Sequence, residues 1–505
     1  MVLLSGLPAE YASRYGVNPP LRYGNSSPVP EAVLVDAVCN SADASPGCLF
    51  CCVPGEHTDG HTFAEEALAN GAVALLVERP LPVDAPQIVS TNVRRDMGRL
   101  ASIIHGEPSQ KLKMIGVTGT NGKSTTTWII RHILHSMGLR VGLLGTIVYN
   151  DGVNEVDAER TTPESCDVQR MLGRMVENGC DACVMETSSH GLALGRMEGC
   201  SFDSAVFTNL SEEHLDYHGT LEEYFETKST LFSGCMKQDW TGGANCDDSY
   251  GRLLMGRFPR NLSSYGIDCD SDARLRAGEI DCSLEGTDFT VSLAGLPETV
   301  RTFLPLPGLF NVYNALAALS AILPFCHDAR GAILSLKSMV QVPGRMERIS
   351  FENGIKCVID FAHTPVALKN VLTELRRLCR GRVISVFGHG GERFQPNRFS
   401  LGRFAAALSD SIIVTMDNPR NEPPEQIAAQ IVEGVKSSGR DVRLRTILDR
   451  KAAVYSAMDS AERGDVVVIS GKGPEKTLRI GSLSIDYSDY NAVRSWSIER
   501  GVRML

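Results

Sequence analysis

Two periods of apolar residues alternate along this chain. Short apolar runs bounded by polar or Gly-rich turns predict buried strands, and segments with apolar residues every third or fourth position predict helices. Near the start, CLFCCVPG, HTFAEEALANGA and VALLVE give strand, loop-helix and strand. The connector HGEPSQKLK leads into the apolar run MIGV, and WIIRHIL follows with helical spacing. Further strand and helix units, ACVMETSS and AVFTNLS among them, predict a mostly parallel sheet with ligands at the carboxyl ends of its strands. From about Asn261 to Thr302 polar and apolar residues alternate (RLRAGEI, TDFTVSLAG), the pattern of half-buried antiparallel strands in a β-rich insertion. LPLPGLFNVYNALAALSAI then reads as an Asn-rich loop running into an Ala-rich helix. Beyond the turn at Pro343-Gly344 the pattern is again β-α-β: KCVIDFAHT, VALKNVLTELRRL, RVISVFGHGG, SIIVTMDNPR and DVVVISGKGPE.

At 505 residues the chain is too long for one hydrophobic core, and the pattern divides into three α/β domains at 1–110, 111–342 and 343–505. A net charge of -10 and only 6% aromatic residues argue against nucleic acid or an anionic membrane as the main partner. No apolar run approaches the roughly 18 residues of a membrane span, and MVLLSGLPAEYASRYG has neither a basic start nor a small-residue cleavage pattern. A cytoplasmic protein, without membrane insertion and monomeric, is the expectation. The 15 Cys fit a reducing compartment better than a disulfide framework. Cys48/Cys51 and Cys180/Cys183 lie in apolar, strand-like sequence without turn glycines, so small buried thiols are expected there rather than a zinc site.

The stretch Val117–Thr127, VTGTNGKSTTT, carries the clearest chemistry. A strand, a Gly-rich turn and a helix start bring backbone N–H groups and a helix N-terminus to phosphate oxygens, with Lys123 as a cation and Ser124 or Thr125 as Mg²⁺ ligands. The Walker spacing is not strict, because five residues rather than four separate Gly116 from Gly122. Glu186 ends the apolar strand of CVMETSSHG, and His214 follows another strand in FTNLSEEHLDYHGT. A hard cation held partly by substrate phosphates is served by one carboxylate and an occasional imidazole.

VTGTNGKSTT, METSSHGLALGR, TNLSEEHLDYHGTLEEYFETKSTLF, GLFNVYNALAA, VPGRME, DFAHTP, DNPR and GKGPE occur in the order found in the Mur ligase family, and the chain resembles it over essentially its whole length. Within the family it is similar to the branch that adds the third residue of the peptidoglycan stem peptide. The resemblance implies an N-terminal domain for the UDP-sugar, a central ATPase domain and a C-terminal Rossmann-like domain for the incoming amino acid. It implies an ATP-dependent ligase of cell-wall biogenesis, with roles in cell shape and division. The D-Glu carboxylate of UDP-MurNAc-L-Ala-D-Glu attacks the ATP γ-phosphate to give an acyl phosphate, and an amine then displaces phosphate.

By the same resemblance Gly119, Thr120, Asn121, Gly122, Lys123, Ser124, Thr125, Asn311, Asp360 and His363 serve ATP, Asn314 lying near Asn311 with a less defined role. Lys123, Glu186, His214 and Lys228 are implied as the catalytic set. Ser124, Glu186, His214 and Lys228 are the implied metal site, Lys228 matching the lysine that the family carbamylates with CO₂. Ser41, Glu56, His57, Thr58, Thr161, Thr162, Ser188 and Arg196 fall to the UDP-sugar substrate. Arg398, Asp417, Asn418, Pro419, Arg420, Gly471 and Glu475 fall to the amino acid. DNPR matches ligases that use meso-diaminopimelate, whose second carboxylate suits Arg420 and whose distal ammonium suits Glu475. Three departures stand out: GGERFQPNRF for the family's GGDRDxxKRP, Pro474 for the His of GKGHE, and Asn40-Ser41-Ala42 for Asp-Ser-Arg. Lysine or another diamino acid remains open, as do a folylpolyglutamate synthase activity and a non-catalytic nucleotide-binding paralogue.

Overall fold

The computed structural model describes residues 2–16, 21–24, 29, 31–55, 58–268 and 273–505. The chain divides into two compact units: Met1–Ala277 with Val291–Val300 and Tyr313–Ser335, and Gly278–Thr290 with Arg301–Val312 and Leu336–Leu505.

The first unit holds two main sheets, beside a two-stranded antiparallel pair of Val2–Leu3 with Val33–Leu34. A five-stranded sheet has the order Arg22–Tyr23, Gln87–Val89, Ala74–Val77, Cys48–Cys51, Asp36–Val38; all neighbours are parallel except the first pair. Its central strands Cys48–Cys51 and Ala74–Val77 are uninterrupted buried apolar runs because both their faces are covered. Asn92 starts the helix Val93–Ile104 by accepting the Arg95 N–H at 3.0 Å, and that helix lays Val93, Met97, Leu100 and Ala101 on the core. Cys48, Cys51, Cys180 and Cys183 are buried free thiols, in keeping with the apolar sequence around them. Cys246, in contrast to the expectation for the chain, is disulfide-bonded.

In the second sheet the order runs Glu155–Asp157, Val148–Asn150, Val141–Leu144, Ala182–Glu186, Lys113–Thr118, Phe202–Phe207, Met236–Asn245, Leu262–Gly266. From Val141–Leu144 onward every pair is parallel. The strand Lys113–Thr118 comes before both its neighbours in sequence, so the chain reverses direction across the sheet there, and the crevice opens at its carboxyl end. One expectation changes. Leu262–Gly266 pairs parallel with Met236–Asn245 and, at Tyr265↔Leu275, with the next strand, so the alternating segment begins as an extension of this sheet. The asparagines of GLFNVYN are also helical rather than in a loop, within Leu309–Ile322.

In the second unit a six-stranded sheet has the order Glu347–Ser350, Lys356–Asp360, Val466–Ser470, Val383–Phe387, Ser411–Val414, Arg443–Thr446, antiparallel only at the first pair. Helices Pro365–Leu378, Pro396–Leu408, Pro424–Ser437 and Arg450–Ser460 connect these strands, and an antiparallel hairpin, Thr477–Ile480 with Leu483–Asp486, follows the last one. Among the described residues no helix is long and apolar enough to cross a membrane.

Candidate active site

The central strand Lys113–Thr118 delivers residues 119–122 between the ends of two neighbours, with Val117 level with Glu186 and Thr118 level with Phe207. The loop is clamped from the Phe207 side: Asn209 accepts the Thr120 N–H through its backbone at 2.8 Å and the Asn121 N–H through its side chain at 3.0 Å. Gly122 precedes the helix Lys123–Ser136 without a side-chain cap, and a helix N-terminus of this kind suits an anion. Lys123 Nζ donates to the carbonyls of Gly119 and Thr120 at 3.0 and 2.8 Å. Ser124 and Thr125 are buried in that first turn.

Glu186 stands where the sequence predicted, at a strand end beside this loop. Ser124 Oγ donates to its Oε2 at 3.1 Å, and Thr146 grips both oxygens, N–H to Oε1 at 2.8 Å and Oγ1 to Oε2 at 3.0 Å. Thr161, Thr162, Ser188 and Arg196 are brought to the same place. Thr146 Oγ1 bonds Thr161 Oγ1 at 3.1 Å, and Thr162 Oγ1 donates to the Glu186 carbonyl at 2.8 Å and lies 3.0 Å from Ser188 Oγ. Arg196 donates to the Thr162 carbonyl at 3.0 Å and to Glu164 at 2.8 Å, while its buried Nε has no partner among the described residues. An unspent donor on a guanidinium beside hydroxyls suits an anionic ligand group.

Lys228 lies on the buried stripe of the helix Leu221–Gly234, with Tyr224, Phe225, Leu231 and Phe232. Its ammonium is 1% exposed, donates to the Gly119 carbonyl at 2.8 Å and sits 4.5 Å over the Tyr224 ring. Burial first, then Lys123, pushes its pKa well below the ordinary lysine value, which favours the neutral amine that CO₂ attack requires. His214 starts the short helix Leu215–His218, which precedes the helix Leu221–Gly234, in a left-handed conformation, φ 57°, with His190 edge-on at 4.8 Å. Its crowded setting and the cations around it hold its pKa below the ordinary histidine value, against the pull of Glu213. Among the described residues no three His, Cys, Asp or Glu side chains are arranged to hold a metal. The Ser124 and Glu186 oxygens do fit Mg²⁺, which takes few protein ligands and keeps waters and phosphates for the rest.

The second unit gathers the DNPR segment, Asp417 to Arg420, and the Gly471 to Glu475 segment at the ends of adjoining parts of its sheet. Gly471 has φ 113°, and a Cβ there would lie 2.5 Å from Asp417 Oδ2, so only glycine lets this strand end approach that carboxylate. Asn418 donates to Glu475 Oε2 at 2.9 Å. Gly391 N–H donates to the Asn418 carbonyl at 2.9 Å, and Arg420 donates back to the Gly391 carbonyl. Burial first, and then Arg393 and Arg479 nearby, pull the Arg420 pKa down from its usual value, against the pull of Glu392 and Asp417.

Arg398 is buried behind this group and reaches it only through the Gly390 carbonyl, at 3.5 Å. It is 1% exposed, and its guanidinium is taken up by Glu422 at 2.9 Å, Gln430 at 2.8 Å and His389 at 3.4 Å. Arg393, in the same altered loop, is the arginine beside Arg420, and its match to the Arg of GGDRD was the signal for it. Thr146, Asn209 and Tyr224 also escaped sequence reasoning, since no local motif marks a residue that grips a strand-end carboxylate or loop from another strand.

The remaining expected residues are placed as follows. Ser41 opens the short 3-10 helix Ser41–Asp43 after the strand Asp36–Val38, Thr58 lies in the loop after Cys48–Cys51, and Glu56 and His57 lie outside the described residues. Asn311 is buried and donates to the Pro307 carbonyl at 2.8 Å. Asp360 is buried and accepts the N–H groups of Met346 and Ala362 at 2.7 and 2.8 Å, so its carboxylate braces its own loop. His363 is exposed.

A strand-loop-helix phosphate cradle with a carboxylate at the neighbouring strand end defines a nucleotide-dependent enzyme of the P-loop type. Comparison with known proteins narrows the class. Residues 117–322 match the Mur ligase middle domain, residues 344–473 the Mur ligase glutamate ligase domain, and residues 38–105 the Mur ligase family catalytic domain. The UDP-N-acetylmuramoyl-L-alanyl-D-glutamate–2,6-diaminopimelate ligase of Geobacillus thermodenitrificans is 39% identical over 466 residues, 91% of this chain and 94% of that protein. The ligase of the same name from Bacillus licheniformis is 36% identical over 494 residues, 96% and 98% of the two chains. A solved structure of a ligase of that name superposes with a TM-score of 0.65 at 32% identity, covering 94% of this chain and 97% of that one. A folylpolyglutamate synthase of Mycobacterium tuberculosis, 17% identical with a TM-score of 0.58 over 74% of this chain and 91% of that one, shares the fold alone. The chain belongs to the Mur ligase family, with its three-domain α/β architecture.

Proposed function

We propose that the protein joins meso-2,6-diaminopimelate to the D-Glu carboxylate of UDP-MurNAc-L-Ala-D-Glu with hydrolysis of ATP to ADP and phosphate, a cytoplasmic step of peptidoglycan synthesis. The observation that carries the reading is the Asp417–Arg420 loop, where Asn418 holds Glu475 and Arg420 holds the Gly391 carbonyl, so that one loop offers a guanidinium for a second carboxylate and braces a carboxylate for a second ammonium. The likeness to the Geobacillus and Bacillus ligases over nearly the whole chain supports it.

In this reading the loop 119–125 binds the triphosphate through its N–H groups and Lys123, and residues 1–110, 111–342 and 343–505 serve UDP-sugar, ATP and amino acid. Thr161, Thr162, Ser188 and Arg196 hold the peptide acceptor, whose carboxylate oxygen attacks the γ-phosphorus as the bond to ADP breaks. The amine then attacks the acyl carbon, loses a proton and expels phosphate. Two anions must meet, so cations decide the rate. Ser124, Glu186 and His214 would hold Mg²⁺, which would neutralise phosphate charge there. Lys228, kept as a free amine, would add CO₂ and lose a proton to become a carbamate, an anionic oxygen ligand in place of a repelling cation.

An amino-acid panel tests the reading. Phosphate release from ATP should need both UDP-MurNAc-L-Ala-D-Glu and diaminopimelate. Release with lysine instead overturns the amino-acid assignment, and release without any amino acid overturns the ligase.

A further inference from the structure

The Gly471–Glu475 segment contains a lysine that the functional reading leaves unused. Lys472 is 0% exposed, fully enclosed beneath the amino-acid site. Its Nζ donates to Glu475 Oε2 at 2.8 Å and to Asn418 Oδ1 at 3.1 Å, and stands 4.0 Å from Asp417 Oδ1. Asn418 closes the ring by donating from Nδ2 to the same Glu475 oxygen at 2.9 Å. Both bonds fall on Oε2, and among the described residues none is recorded to Oε1 of this carboxylate, which is 38% exposed.

We propose that Lys472 is the positioning residue of the amino-acid site: it fixes Glu475 by one oxygen so that the other meets the distal ammonium of a diamino acid. The inference rests on the reading of Glu475 given above. Charge balance gives the physical reason. Asp417 and Glu475 are two carboxylates on facing loops, and the Lys472 ammonium stands between them, bonded to Glu475 and 4.0 Å from Asp417. Without Lys472 the two carboxylates repel, and Glu475 swings toward water. A buried cation with its bonds already made costs no reordering when ligand arrives.

The test compares Lys472→Met, Lys472→Arg, Glu475→Gln and the double variant Lys472→Met/Glu475→Gln, using meso-diaminopimelate and 2-aminopimelate, which lacks the distal amine. Lys472→Met should raise the KM for diaminopimelate about tenfold or more, equivalent to about 1.4 kcal/mol. The KM for ATP and for 2-aminopimelate should stay within about twofold, and Lys472→Arg should restore part of the loss. On the Glu475→Gln background the same change should add less than about twofold, because the residue it positions is already disabled. Equal KM rises for both amino acids, or fully additive losses, overturn the proposal. If Lys472→Met does not fold, Lys472→Gln carries the same comparison. A wild-type enzyme that ligates lysine and not diaminopimelate overturns the substrate reading and this inference together; one that ligates diaminopimelate with additive losses overturns the inference alone.

Discussion

Two arginines of the amino-acid half divide the work by burial. Arg420 has an unusual backbone, φ 53°, and holds its side chain beside Arg393 and Arg479, where a ligand carboxylate would relieve the crowding of cations. Arg420→Lys should therefore raise the KM for diaminopimelate by about tenfold or more, because an ammonium cannot make the planar two-bond contact. An unchanged KM in steady-state assays rules that role out. Arg398→Met should act differently, stranding Glu422 and Gln430 and costing about 2–4 kcal/mol of stability in urea denaturation. Its KM for diaminopimelate should move less than that of Arg420→Lys. The sequence motif marked both residues as cations, but a motif carries no information on burial. Helical period does: Arg398 starts the buried stripe Arg398, Leu401, Gly402, Ala405 of the helix Pro396–Leu408, whereas Arg393 precedes that helix. For Lys228, which the resemblance alone singled out, the structure puts the ammonium on a buried stripe with Tyr224 and Leu231, bonded to the Gly119 carbonyl rather than to solvent.

At the scale of elements, strands and helices were legible because each apolar run is buried on both faces and each helix carries one apolar stripe. The parallel pairing of Leu262–Gly266 was not, since alternation reports a half-buried strand and says nothing of its partner's direction. Loop-to-loop contacts were equally hidden. The turn at Gly344 docks on the segment that holds Pro474: a Cβ at Gly344, whose φ is 62°, would lie 2.2 Å from Pro474 N. The Gly344 carbonyl also accepts the Phe361 N–H at 2.9 Å. The departure from His to Pro at 474 thus faces a close backbone contact, while Glu475 keeps its bonds to Lys472 and Asn418. Gly344→Ala should cost about 1–3 kcal/mol through the left-handed backbone and the clash. Displacing residue 474 should also disturb Glu475, so the KM for diaminopimelate should rise while that for ATP does not. Wild-type melting temperature and KM in this variant would refute the contact.

Across the whole molecule, several buried titrating groups set how stability depends on pH, and they pull in both directions. His389, 5% exposed, has its pKa pulled down to about 4 by burial first and by the Arg398 guanidinium second. In the unfolded chain an ordinary histidine takes a proton near pH 6.5. Between these values the unfolded state binds more protons, so stability rises with pH there and is lost on acidification. The shift is worth roughly 3 kcal/mol at most between pH 7 and pH 4. His218, buried, is lowered too, burial being the main cause, and adds to the same trend. Asp360 opposes it, because burial raises its pKa and the native state then takes up the extra proton on acidification. The histidine shifts act in the upper part of the range, where an ordinary histidine takes its proton. Unfolding by urea at pH 7, 6, 5 and 4.5 should therefore show falling stability. His389→Gln, which keeps an acceptor for Arg398 without a titrating ring, should narrow the gap to wild type by about 1–3 kcal/mol as the pH drops. A gap between the two proteins that stays constant from pH 7 to pH 4.5 would show that His389 titrates alike in the folded and unfolded chain.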